Sequence, residues 1–119
     1  CGNTYMSPVK PLTWNRMLEA AALSHARDMS RHKYFKHTSL SGKIVRKRIE
    51  DAGYTSSGMR TFAFAENIAA GHPSIEKVME GWVRSENHCK NIMNKNYKEI
   101  GVAESNLYWV QDFGMRIAF

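Results

Sequence analysis

Apolar side chains recur at steps of three and four from about Asn15 to Arg31, through Leu18, Ala21, Ala22 and Met29, with His25 on the same stripe. That spacing predicts one helix with a single buried face. Asn15, just before the first periodic residue, is the expected N-cap. The paired alanines predict that another element packs closely there, and His25 reads as a hydrogen-bonded core histidine. Residues 1–12 read as an extended lead-in, because Pro8 and Pro11 disfavour helix. A second helix is predicted over Ser41–Ala52, with Gly53 closing it in the left-handed conformation. Thr55–Arg60 is polar and reads as a surface loop, and the apolar run Thr61–Ala69 reads as a strand. Ser74 is placed to cap a third helix that buries Ile75, Val78, Met79 and Trp82. Glu86–Met93 reads as a short helical or turn segment. Ile100–Glu104 and Leu107–Phe113 read as strands joined by a tight turn at Ser105-Asn106.

Helices, a strand, a helix and a hairpin argue for an α+β fold in which helices cover a small antiparallel sheet, since a bare sheet face would expose too much apolar surface. At 119 residues the chain has the size of one domain, 1–119, and 43% apolar with 24% charged residues excludes a disordered chain. No apolar run is long enough for a membrane-spanning helix. No signal-peptide pattern is present, so any export signal is expected outside these residues.

Charge narrows the partners. Seventeen Lys and Arg against eleven Asp and Glu leave +6. Such a surface suits nucleic acid, anionic lipid or an acidic polymer. The densest run, Lys43-Ile44-Val45-Arg46-Lys47-Arg48, carries four cations in six residues. With Val45 and Ile49 assigned to the core and no aromatic interleaving, it reads as a solvated helix face, and no specific nucleic-acid partner is expected. Cys1 and Cys89 form no Cys-x-x-Cys pair, which excludes a zinc ribbon or a thioredoxin-type site. Three fates stay open: one disulfide, two free thiols, or a lipidated Cys1 with Cys89 alone.

The candidate chemistry lies in His37 of Phe35-Lys36-His37-Thr38-Ser39, Glu66 of Ala65-Glu66-Asn67-Ile68-Ala69 and His88 of Ser85-Glu86-Asn87-His88-Cys89. There is no His-Glu-x-x-His, no Gly-x-Ser-x-Gly elbow and no phosphate-binding glycine loop.

These segments, with Trp14-Asn15-x-x-Leu18-x-x-Ala21-Ala22-x-x-His25-Ala26-x-x-Met29, the Gly81-Trp82-x-x-Ser85-x-x-His88 helix and the Glu99-Ile100-Gly101-Val102-Ala103 and Tyr108–Gly114 ending, resemble the CAP superfamily of cysteine-rich secretory, antigen 5 and pathogenesis-related 1 proteins. The resemblance runs from about Pro11 to Gly114 and is nearest the compact bacterial branch. It implies a three-layer α-β-α sandwich and a cleft lined by two histidines and two acidic residues. His37, Glu66 and His88 match three of these positions. Where eukaryotic members carry the second glutamate stands Ser85, which leaves Glu86, one residue on, as the candidate.

The bacterial pattern also implies a Cys1–Cys89 disulfide, and hence export to periplasm, cell surface or medium. Lipidation of Cys1 is the competing expectation and the only membrane attachment foreseen. His37 and His88, with Glu66, could hold zinc or another divalent cation and activate water. A serine nucleophile, Ser39, beside Thr38 and oriented by His37, lacks an oxyanion element. A hydrogen-bonded His–Glu–His network can equally tie loop, strand and helix together with no chemistry. The expected function is a monomeric, non-catalytic binding module for a lipid, polysaccharide or host protein, with a His/Glu cleft open to a divalent metal or a small or lipid ligand. The alternatives are a metal-dependent protease or nuclease, and a ligand-free structural envelope domain.

Overall fold

The computed structural model describes residues 1–119. Asn15 starts the first helix as its sequence position requires. Its Oδ1 accepts hydrogen bonds from the amides of Met17 and Leu18 at 2.9 and 3.0 Å, opening α1 (Arg16–His32). Lys33 ends it in the left-handed region, φ 55°. The second helix, α2 (Val45–Asp51), begins later than Ser41. A turn precedes it: the Gly42 amide bonds to the Ser39 carbonyl, Gly42 has φ +90°, and Ser39 Oγ accepts from the Lys43 amide. Gly53, φ +101°, closes α2 as expected. Its amide bonds to the Glu50 carbonyl and that of Tyr54 to the Ile49 carbonyl, the paired bonds of a Schellman motif.

Four strands follow the order β1-β3-β4-β2, where β1 is Thr13–Trp14, β2 is Met59–Ala70, β3 is Glu99–Ser105 and β4 is Tyr108–Ala118. β4 pairs antiparallel with β2 and β3. β1 pairs parallel with β3, so the sheet is mixed and not purely antiparallel. Two residues are too few to show a period of two, which is why β1 left no pattern. The hairpin turn sits at Asn106-Leu107, one residue beyond Ser105-Asn106. Both turn residues have positive φ, 48° and 67°, the primed geometry that matches strand twist, while Ser105 stays paired with Tyr108.

Ser74 caps α3 (Ile75–Arg84) through the Lys77 amide, and Ser85 separates α3 from α4 (Glu86–Ile92). Val78 and Trp82 are buried and Met79 is half-buried, but Ile75, at the first helical position, remains 43% exposed. Successive residues of β2 and β4 face opposite layers. Ile68 and Val110 pack with Ala22, Ala26 and Met29 of α1, and Ala69 and Trp109 pack with Val78 and Trp82 of α3. The result is an α-β-α sandwich, with α1 and α2 on one face and α3 and α4 on the other.

Cys1 and Cys89 are bridged, with Cα atoms 5.4 Å apart, so the lead-in is fastened to α4. The bridge uses the Cys1 sulfur on which a lipid would sit. Closing a loop over 88 positions is worth about 4–5 kcal/mol at most in the chain-entropy account.

α1 approaches β3 so closely that a Cβ on Gly101 would lie 2.1 Å from the Glu19 amide nitrogen and 2.4 Å from the Leu18 carbonyl carbon. Helix backbone cannot swing aside as a side-chain tip can. Gly101→Ala is therefore expected to destabilise the fold by about 3 kcal/mol or more, the upper end for overpacking. Urea denaturation checks this, and an unchanged midpoint would contradict the close packing.

Candidate functional site

Glu66 lies on edge strand β2 with its side chain toward α2. Burying a carboxylate is costly unless its oxygens are matched by donors. Arg48 supplies the match: Nη1 donates to Oε2 at 2.7 Å and Nη2 to Oε1 at 3.0 Å. The two side chains are 5% and 1% exposed. Nη2 also donates to the His37 carbonyl at 2.6 Å, so one guanidinium joins helix, strand and loop. His37 Nδ1 lies 2.9 Å from Glu66 Oε1. A carboxylate only accepts, so Nδ1 carries the proton and the other ring nitrogen of this half-exposed side chain is left free.

Asp112 stands directly across from Glu66 in the β2–β4 register and is fully buried. Neither of its oxygens accepts a hydrogen bond from a protein donor. The neutral acid resolves this, since it can donate its proton to Glu66. Burial, with the charge of Glu66 and their shared hydrogen bond, pushes the Asp112 pKa well above the carboxylate range. Burial alone would also raise Glu66, but hydrogen bonds from His37, Asp112 and Arg48, with the Arg48 charge, outweigh it and hold Glu66 at about 2. One proton is thus shared by the pair and resides on Asp112.

The next residue of β2, Asn67, points to the opposite layer. Its Nδ2 donates to the His88 carbonyl at 3.1 Å and to Gln111 Oε1 at 2.9 Å, and its Oδ1 accepts from Asn91 Nδ2 at 2.8 Å. The backbone of α4 is fastened this way, while the His88 ring lies 2.7 Å, Nδ1 to Oγ, from Ser85. Burial, then the charge of His37, lowers the His88 pKa. His37 is thus near enough to act on His88, although no hydrogen bond joins them.

His37 and Glu66 therefore meet as expected, whereas His88 hydrogen-bonds to neither. No group of three or more His, Cys, Asp or Glu side chains converges to hold a metal ion. Both Glu66 oxygens are engaged, and a cation placed on them would face the Arg48 guanidinium. Glu66 is thus already committed to His37 and Arg48, while the second ring nitrogen of His37 remains free. Glu86 lies outside the cleft. It is exposed, accepts from Thr4 Oγ1 at 2.9 Å and pairs with Lys90, because one step along a helix turns a side chain by about 100°. Ser85 holds the expected position and offers His88 a hydroxyl. Ser39 Oγ takes the Lys43 amide and lies 3.0 Å from Ser41 Oγ, with no bond to His37, so the nucleophile arrangement is absent.

Two central residues, Arg48 and Asp112, escape the sequence pattern. Arg48 falls in the run that reads as a solvated face, yet Val45, Arg48, Ile49 and Ala52 share one helical stripe, and that spacing is the available signal. Asp112 sits in a run buried from Trp109 to Met115, where an acid inside an apolar stretch is the only clue.

The family model described as the cysteine-rich secretory protein family, CAP, matches residues 6–113. The chain is 35% identical over 109 residues to protein YkwD of Bacillus subtilis, covering 88% of this chain and 40% of that one. Its fold is similar to that of an extracellular SCP-domain protein from Bacillus anthracis, with TM-score 0.82, 28% identity, and 90% of this chain and 34% of that one covered. It also resembles the fold of an outer surface protein from Borrelia burgdorferi, with TM-score 0.75, 23% identity, and 91% and 80% covered. The chain thus spans less than half the length of its Bacillus relatives.

Removing one partner of a buried ion pair leaves a charge without its counterion. Arg48→Met is therefore expected to cost about 3–5 kcal/mol at neutral pH, read from urea denaturation. The acid pair sets a second expectation. Asp112 has a native pKa raised above its ordinary 3.8, so its stabilising effect is complete below 3.8 and is lost as pH rises toward the native value. Asp112→Asn keeps a donor for Glu66 and removes that proton. Its stability relative to the parent should rise from pH 4 to pH 8, and a pH-independent difference would show that Asp112 is ionised in the fold.

Proposed function

The chain belongs to the cysteine-rich secretory protein family, CAP, and from that premise we propose that it is an exported, non-catalytic binding module. In this reading the His37–Glu66–Arg48–Asp112 cluster holds the module in shape. The observation that carries the proposal is the engagement of Glu66. Both oxygens of its carboxylate are occupied, and a group held at about pKa 2 is a weak general base at neutral pH. A hydrolase built on this cleft would need a base or a metal-bound water, and Glu66 is available for neither.

Export is supported by the Cys1–Cys89 bridge, which persists in oxidising compartments, and by the extracellular and outer-surface character of the two structural neighbours. No helix is long and apolar enough to cross a membrane. The partner classes are a lipid, a polysaccharide or a host protein, met by a monomer.

Metal content tests the reading. Protein purified without chelator or affinity-tag metal and then equilibrated with zinc should hold less than one zinc per chain. His37→Ala and His88→Ala should leave that content unchanged. One zinc per chain, lost in both variants, together with hydrolysis of a peptide or nucleic-acid substrate that is lost in the same variants, would overturn the proposal in favour of the metal-dependent hydrolase.

A further inference from the structure

A cavity of about 540 Å³ opens between α1 and the segment from Ser39 through α2 to Asp51. Its size is that of a small-molecule site. Only two of its twelve lining residues are hydrophobic, so its occupant must be polar. His37, Glu66 and His88 do not line it; only Arg48 belongs to both places.

Several lining charges are already satisfied. Lys43 pairs with Asp51, which also pairs with Lys47. Asp28 accepts the Tyr34 hydroxyl and lies 3.5 Å from His32. Arg27 and Arg31 are different. They sit one turn apart on α1, are exposed, and take part in no ion pair. Two forked guanidiniums with no counter-ion suit a phosphate.

Deeper in the wall, two buried nitrogens lack partners: His25 Nδ1 and Arg48 Nε. His25 Nε2 lies 2.7 Å from the Lys36 carbonyl oxygen, and because a carbonyl only accepts, the proton is on Nε2. Burial, then the Arg48 charge, lowers the His25 pKa, so the ring is neutral and Nδ1 is a bare acceptor. Arg48 Nε is a donor. His25 and Arg48 both line the cavity, and an unmatched acceptor and an unmatched donor in its lining suit a ligand with several hydroxyl groups, each able to give one bond and receive another. A bare anion would serve only Arg48, and an apolar ligand would serve neither.

We propose that this cavity binds a phosphorylated polyol, with hydroxyls directed at His25 and Arg48 and the phosphate held by Arg27 and Arg31. The proposal goes beyond the binding-module reading and does not depend on the His37 cleft, so zinc in that cleft would leave it standing. NMR titration of the ¹⁵N-labelled protein tests it with four probes: glycerol 3-phosphate, ethyl phosphate, glycerol and inorganic phosphate. Glycerol 3-phosphate should give saturable shifts at Ser24, His25, Arg27 and Arg31. Ethyl phosphate, which lacks the hydroxyls, should bind weaker by roughly fivefold or more. Arg27 and Arg31 are exposed, so R27Q/R31Q should fold normally and lose roughly tenfold in affinity or more.

Co-sedimentation with phosphatidylglycerol vesicles, competed by glycerol 3-phosphate, would support the site with a lipid headgroup as source. Its absence alongside binding of the soluble probe would support the site with a free or polymeric source. No saturable shift with glycerol 3-phosphate, equal binding of ethyl phosphate, or unchanged binding in R27Q/R31Q would each overturn the proposal.

Discussion

One buried ion pair, Arg48 with Glu66, governs how three parts of this molecule sit relative to one another. Arg48 comes from α2, Glu66 from edge strand β2, and the same guanidinium reaches the His37 carbonyl in the loop after α1. Taking both charges out of water costs several kcal/mol per ion, and mutual attraction offsets this only with good geometry and with the remaining lone pairs matched. Here the fork is two-pronged, and His37 and Asp112 supply the further donors. The pair therefore adds less to net stability than its short distances suggest, while fixing the position of the His37 loop against the sheet. An apolar replacement could fill the same space but would set no such register.

The proton between Glu66 and Asp112 follows from that pair. Two carboxylates opposite each other on adjacent strands repel, and full burial removes the water that would screen them. Arg48 resolves which one ionises, because its fork lies on Glu66. Asp112 then holds the proton, Glu66 keeps its charge, and His37 must present Nδ1–H to it. The free ring nitrogen of His37 is thus set by a chain of partners that ends at a buried acid on β4.

Much of the architecture was legible where a residue acts on its own neighbours. Asn15, Ser74 and Gly53 stop or start helices through bonds within a few residues, and each lies where its type predicts. The alanine stripe of α1 announced close packing, which Gly101 completes from a distant strand. The shift of α2 from Ser41 to Val45 came from a turn around Gly42 that competes with helix for the Ser39 and Lys43 backbone groups. The acidic half of the cleft was legible only through resemblance. Nothing local says that Glu66 faces α2 while Asn67 faces α4, because that depends on which layer each helix covers. Arg48 and Asp112 were hidden for the same reason: a charge can be assigned to the interior only when its partner is known, and the partners lie 18 and 46 positions from Glu66.

Arg48 also shows why the two polar regions of the protein cannot be treated as one site. Its terminal nitrogens are spent on Glu66 and the His37 carbonyl, whereas Nε has no partner and the residue also lines the cavity between α1 and the Ser39–Asp51 segment. Any change at Arg48 disturbs the fold-setting pair and the cavity wall together. Arg27 and Arg31 lie in neither the Glu66 network nor the core, and α1 holds them by its opposite, alanine-rich face. The rim can therefore change its charge while the sandwich beneath it stays intact. On the proposed reading, the residues that fix the layers differ from those offered to a ligand.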